Sequence, residues 1–115
     1  MTTVYGIPNC DTVKKARIWL TEQGVAYDFH DYKKAGVPEA ELRGWVDRLG
    51  WETLLNRAGT TFRKLPDADK TDLDAKKAIA LMLANPSTIK RPVLVQGETL
   101  LAGFKPDTYL SAVTA

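Results

Sequence analysis

The chain has 115 residues, 44% of them apolar and 26% charged, a balance that fits one globular domain with a real core and excludes disordered and fibrous classes. Sixteen basic against 14 acidic residues leave a net charge of +2 with no long block of one sign, too little to argue for direct contact with nucleic acid. A lone cysteine excludes an intramolecular disulfide, and Met1-Thr2-Thr3-Val4-Tyr5 has neither a basic nor an apolar leader character, so a reducing, cytoplasmic location is expected.

Thr2 to Tyr5 is β-prone and closes at Gly6. Val13, Ala16 and Leu20 then fall at i, i+3 and i+7 on one helical face that ends at Gly24. Val25 to His30 reads as a second strand with Tyr27 and Phe29 on one face, and a strand–helix–strand start implies a parallel pair. Pro38-Glu39 opens a helix whose apolar face is Leu42, Trp45, Val46 and Leu49, with Gly50 just past its end. Trp51 to Asn56 predicts a short helical piece, and Arg57 to Leu65, without a clean period, reads as loop. Thr71 is the expected cap of a helix through Ala84, with Ala75, Ile79, Met82 and Leu83 inward and Asn85-Pro86 stopping it. The apolar run Ala78 to Ala84 is far shorter than the roughly 20 residues that cross a bilayer. Val93-Leu94-Val95 and Thr99-Leu100-Leu101 flank Gln96-Gly97-Glu98 as a hairpin, and Pro106 opens a last short helix carrying Leu110 and Val113. The order βαβ … ββα predicts an α/β, thioredoxin-like fold with a mixed sheet. The expected organisation is a single domain over 1–115 with a helical insertion at about 37–88.

Chemistry concentrates at Cys10, in Tyr5-Gly6-Ile7-Pro8-Asn9-Cys10-Asp11-Thr12-Val13-Lys14-Lys15, where a strand turns into a helix. Unpaired backbone N–H groups and the positive end of the helix dipole favour S⁻ over SH at such a junction. The alternative is a small, inert, buried cysteine; the Pro-Asn turn immediately before it favours the reactive reading. Asp11 suits the helix start but opposes a thiolate, and Lys14 and Lys15 read as a solvated face. His30, the one histidine, reads as a structural or surface group, and Trp19, Trp45 and Trp51 as packing. No metal ligand set and no bound cofactor are expected.

Four segments, Tyr5 to Ala16, Asn56 to Leu65, Ile89-Lys90-Arg91-Pro92 and Gly103-Phe104-Lys105-Pro106, together make the chain resemble the arsenate reductase (ArsC)/Spx family over essentially its full length, closest to the YffB-like branch. The resemblance implies a thioredoxin-like fold and a nucleophilic Cys10 that attacks an oxyanion or thiol adduct, with glutathione or glutaredoxin as the external thiol. It implies anion-binding roles for Arg63, Arg91 and Lys105, supported by Asn9, Asp11, Thr12 and a cis Pro92. Lys105 stands where arsenate reductases proper have arginine, replacing a bidentate fork by a point charge. Gly6 stands where they have a histidine. Spx relatives imply a second reading, a regulator binding the RNA polymerase α-subunit, although Val13 occupies the second place of their Cys-x-x-Cys switch. A scaffold with a packing thiol is a third. A monomer is expected, and the substrate is left open between arsenate, a glutathione mixed disulfide and another thiol adduct.

Overall fold

The computed structural model describes residues 2–114 and opens with strand β1 (Thr2–Gly6), whose side chains alternate between buried and half-buried. That period of two is the alternation of a pleated strand whose two faces are covered unequally. Helix α1 (Asp11–Glu22) follows and buries Val13, Ala16 and Leu20, the three positions picked out by their spacing. Strand β2 (Tyr27–Asp31) begins two residues later than Val25, and Asp31 then caps the one-turn helix α2 (Tyr32–Ala35) by accepting from the Lys33 backbone N–H at 2.8 Å. Helices α3 (Glu39–Leu49), α4 (Trp51–Leu54), α5 (Thr60–Arg63), α6 (Asp67–Lys70) and α7 (Ala75–Ala84) come next, then a 3₁₀ turn at Pro86–Thr88. Strands β3 (Val93–Gln96) and β4 (Thr99–Ala102) and helix α8 (Pro106–Thr114) end the series.

The chain divides into two compact units, Val37–Lys90 and the sequence on either side of it. The flanking unit holds a four-stranded mixed sheet in the order β2-β1-β3-β4. β1 runs parallel to β2, with Tyr5 opposite His30 and Gly6 opposite Asp31, and antiparallel to β3, with Tyr5 opposite Val93. β3 and β4 form the predicted hairpin, Val93 opposite Ala102 and Gln96 opposite Thr99. Its turn is reduced to Gly97-Glu98, with Gly97 at φ 59°, a region a side chain rarely adopts. The core of this unit is Val4, Ala16, Leu20, Leu94, Tyr109 and Ala112. Arg17 lies over the Phe29 ring at 4.1 Å and donates to the Tyr27 hydroxyl at 3.1 Å, so its stem covers the edge strand β2.

The unit Val37–Lys90 is helical. Leu42, Trp45, Val46, Leu54, Ile79 and Met82 are buried in it. Its segments are tied by a bridge between Leu55 and Ile89 and by backbone bonds from Asn56 N–H to Thr88 and from Lys90 N–H to Leu54, both 2.7 Å.

Three expectations need correction. The helix through Ala84 starts at Ala75, because the Asp74 carboxylate caps it by accepting from the Lys77 N–H at 2.8 Å, while Asp72 at φ 52° breaks the path from Thr71. The stretch Arg57 to Leu65 is not all loop, since α5 forms one turn that buries Phe62. In α8 the inward face carries Tyr109 and Ala112, whereas Leu110 is 46% exposed.

Candidate active site

Cys10 is the N-cap of α1, with extended backbone at φ −94° and ψ 128°. Its N–H donates to the Ile7 carbonyl at 3.3 Å, which closes the Pro8-Asn9 turn, and its carbonyl accepts the first helical bond from Lys14 N–H at 2.9 Å. The side chain makes no capping hydrogen bond and is half-buried. The sulfur is thus carried at the positive end of a 12-residue helix, a location that favours negative charge. Asp11 and Thr12 are exposed in the first turn and Asn9 is exposed in the turn before it. Behind the cysteine, a Cβ on Gly6 would lie 2.9 Å from Val13 Cγ2, so the strand reaches this turn only because residue 6 has no side chain.

The sheet register carries three other expected residues to the same end. Tyr5, the last residue of β1 before Gly6, pairs with Val93, and Val93 pairs with Ala102. Arg91-Pro92 therefore enters the sheet beside the exit to Cys10, and Gly103 to Lys105 leaves it there. The Arg91-Pro92 bond is cis, Pro92 is buried, and its carbonyl accepts from Gly103 N–H at 2.8 Å. Arg91 is half-buried and Lys105 exposed. Among the described residues neither side chain joins an ion pair, so both keep an unneutralised positive charge. Arg63 belongs to the other unit, where it is exposed at the last position of α5 and its carbonyl accepts from Lys70 Nζ at 3.0 Å; its side chain is likewise in no ion pair among the described residues.

An aromatic group at the same end of the sheet was not singled out from the sequence. The Tyr5 and His30 ring centroids are 5.1 Å apart and those of His30 and Tyr32 5.9 Å. His30 Nε2 donates to the Gly36 carbonyl at 2.8 Å, which makes it the structural residue expected. Tyr32 is 2% exposed, and its hydroxyl has no hydrogen-bond partner among the described residues. Burial pushes the Tyr32 phenol well up from its ordinary range, the neighbouring Tyr5 adds to this, and the Arg91 charge pulls the other way. A glutamine or aspartate there would have drawn notice; a tyrosine at a strand end reads as packing.

A groove of about 410 Å³ runs along the outside of α1 between Lys14, Arg17, Ile18 and Tyr27 and does not include Cys10. Among the described residues no cluster of three His, Cys, Asp or Glu side chains gathers to hold a metal, and no helix is long and apolar enough to cross a membrane.

Comparison with known proteins places this geometry. The profile of the ArsC family matches residues 5–112. The solved YffB protein superposes with a TM-score of 0.94 at 62% identity, covering 97% of this chain and 98% of that one. An arsenate reductase (ArsC) related protein from Brucella melitensis gives 0.77 at 53% identity, covering 99% and 95%. The global transcriptional regulator Spx of Streptococcus mutans is 28% identical over 93% of this chain and 79% of its own length. The fold is thioredoxin-like, as the element order predicted.

Proposed function

Because the chain belongs to the ArsC family, we propose that it is a thiol reductase of arsenate reductase type in which Cys10 is the single nucleophile and glutathione or glutaredoxin supplies the resolving thiol. The observation that carries this reading is the half-buried Cys10 at the N-cap of α1, with Arg91 and Lys105 carried to the same end of the sheet and in no ion pair among the described residues. Arg91 and Lys105 are assigned the anionic part of the substrate, with Asn9, Asp11, Thr12 and Pro92 shaping the surroundings of the sulfur. The enzyme works as a cytoplasmic monomer without a bound cofactor.

With a glutathione mixed disulfide, the Cys10 thiolate attacks the glutathionyl sulfur. The old S–S bond breaks, the substrate leaves as a thiolate that takes a proton from water, and Cys10 is left in a mixed disulfide with glutathione. A second glutathione thiolate attacks that disulfide, releasing oxidised glutathione and regenerating the Cys10 thiolate. The substrate is released as a thiol, its glutathionyl unit and one incoming glutathione end as one disulfide, and no second protein cysteine is needed. With arsenate the cysteine and glutathione together supply the two electrons, giving arsenite, oxidised glutathione and water from arsenate and two glutathiones. Lysine at position 105 offers a point charge in place of the bidentate fork, which weakens the case for arsenate itself as the substrate.

The test is the rate at which oxidised glutathione forms from glutathione and either substrate. Cys10→Ser is expected to abolish turnover with both, and Arg91→Ala to raise KM at least tenfold, about 1.4 kcal/mol of binding. Turnover that survives Cys10→Ser would remove the enzyme reading.

A second reading is favoured by the Spx relatives, which match 93% of this chain at 28% identity: a regulator that binds the RNA polymerase α-subunit. With Val13 in the place of the second switch cysteine, such binding would be independent of redox state. Capture of the purified α-subunit by the wild type and by Cys10→Ser alike, without turnover, would establish it.

A further inference from the structure

Tyr32 is buried to the tip of its ring, yet its hydroxyl has no hydrogen-bond partner among the described residues. Buried polar atoms in native proteins are nearly always paired, and those that are not commonly belong to sites that receive something. The position of this one is not incidental. Tyr32 follows Asp31, which pairs with Gly6 at the end of β1, and Tyr5 beside it pairs with Val93, two residues after Arg91. Tyr5 and Arg91 both act electrostatically on this phenol, Tyr5 raising it and Arg91 lowering it. Its ring is held edge-on by His30 at 5.9 Å, and His30 is fixed in turn by its bond to the Gly36 carbonyl. The Asp31 cap fixes the backbone from the other side.

The chemistry of the neighbours names the class of ligand. A guanidinium has only donors, and a phenol that burial keeps protonated also has a hydrogen to give. A buried hydroxyl with a hydrogen to give, at the end of the sheet to which the register also brings the Arg91 charge, suits an anionic oxygen and not a cation. We propose that the Tyr32 hydroxyl is a further ligand-binding group of the site, donating its hydrogen to an anionic oxygen that Arg91 holds at the same time. That oxygen belongs to a glutathione carboxylate or to an inorganic oxyanion. The inference rests on the anion site of the preceding section and adds to it a neutral, directional donor from β2's end of the sheet.

Tyr32→Phe tests it, because it deletes the hydroxyl and leaves the ring packing. Calorimetric titration of the reduced protein with sodium sulfate and, separately, with S-methylglutathione, which cannot form a disulfide, distinguishes the two sources of the oxygen. The expected result is a loss of affinity of tenfold or more for one probe, which names the source, with a thermal midpoint unchanged or higher. In the wild type, the Tyr32 Cζ resonance of tyrosine-labelled protein is expected to move when that probe is added. Unchanged affinities for both probes, or a Cζ resonance that stays in place at saturation, would overturn the assignment even if the variant is less stable. A wild type that binds neither probe would overturn this inference and the anion site together, whereas wild-type binding lost in Arg91→Ala but kept in Tyr32→Phe would leave the anion site standing and remove Tyr32 from it.

Discussion

Two aromatic corners of the sheet-bearing unit are built from similar parts and finished differently. In one, Phe104 and Tyr109 stand edge to face at 4.9 Å, with Trp19 6.2 Å from Phe104 and 6.0 Å from Tyr109. Tyr109 is 1% exposed, and its hydroxyl donates to the Gly103 carbonyl at 2.7 Å. In the other, Tyr5 and His30 lie tilted at 5.1 Å and His30 and Tyr32 edge to face at 5.9 Å, and Tyr32 is as deeply buried, but its hydroxyl meets no protein partner among the described residues. Burial is therefore not what separates them. The corner that closes its own polar groups serves the fold, fixing α8 and the Gly103 turn to the core. The corner that leaves a donor unpaired at Arg91's end of the sheet is prepared for a molecule from outside.

The sharpest way to break this contrast is to delete the two hydroxyls in turn. Tyr109→Phe leaves the Gly103 carbonyl without its donor and is expected to cost about 1–3 kcal/mol of stability. Tyr32→Phe removes a buried hydroxyl that was already unpaired, so its expected effect on stability is zero or a small gain. Urea midpoints of the two variants beside the wild type decide it. Equal destabilisation would mean that both hydroxyls are structural, and the distinction between the corners would fall.

A smaller effect sharpens the same division within the turn that carries Cys10. A Cβ at position 6 would come within 2.9 Å of Val13 Cγ2, on a side chain that is itself fully buried. Gly6→Ala is expected to cost about 1–2 kcal/mol, the overpacking strain less the entropy that alanine removes from the unfolded chain. Val13→Ala in the Gly6→Ala background should recover part of that loss, giving a coupling between the two sites in a double-mutant cycle. If the two substitutions simply add, the contact does not limit the packing. Gly6 and Val13 stand at the two places where the family resemblance implies a histidine or a second cysteine. In the fold they are a single contact, and a sequence has no means of showing that residues seven apart on a strand and a helix touch.

That contact marks the boundary of what was legible. Regular spacing exposed α1 and α3, since Val13, Ala16 and Leu20, or Leu42, Trp45 and Val46, are buried for the reason that their periodicity states. The hairpin and the cysteine at a strand-to-helix turn were legible for the same local reasons. The start of α7 was not, because Thr71 and Asp74 are both good caps and the choice was made by the positive φ at Asp72. The inward face of α8 was misread because Leu110 is more apolar than Tyr109, while a hydroxyl partner at Gly103 lets the larger ring go inside. Tyr32 was invisible in principle. A tyrosine is recognised as a site residue by what its hydroxyl lacks, and that depends on Tyr5 and Arg91, which are far from it in the chain.

Alkaline pH gives the smallest and most specific comparison. Burial raises the phenol of Tyr109, and burial first with Tyr5 second raises that of Tyr32. For an acid whose folded-state value is raised, the folded protein keeps the proton longer than the unfolded chain. The stabilisation is therefore fully present below the unfolded tyrosine value near 10 and is lost as pH climbs through the folded value. Each tyrosine should contribute a slope of up to about 1.4 kcal/mol per pH unit above that point. Denaturant unfolding between about pH 9 and pH 11 is expected to show the full slope in the wild type and a shallower one in either phenylalanine variant. Bound sulfate or S-methylglutathione should leave that slope as it is and extend only the Tyr32 part to higher pH, because an anionic oxygen accepting from that hydroxyl delays its ionisation in the folded protein, while the Tyr109 part stays as it was. A ligand that changed both parts equally would be acting on the fold as a whole and not through the open corner.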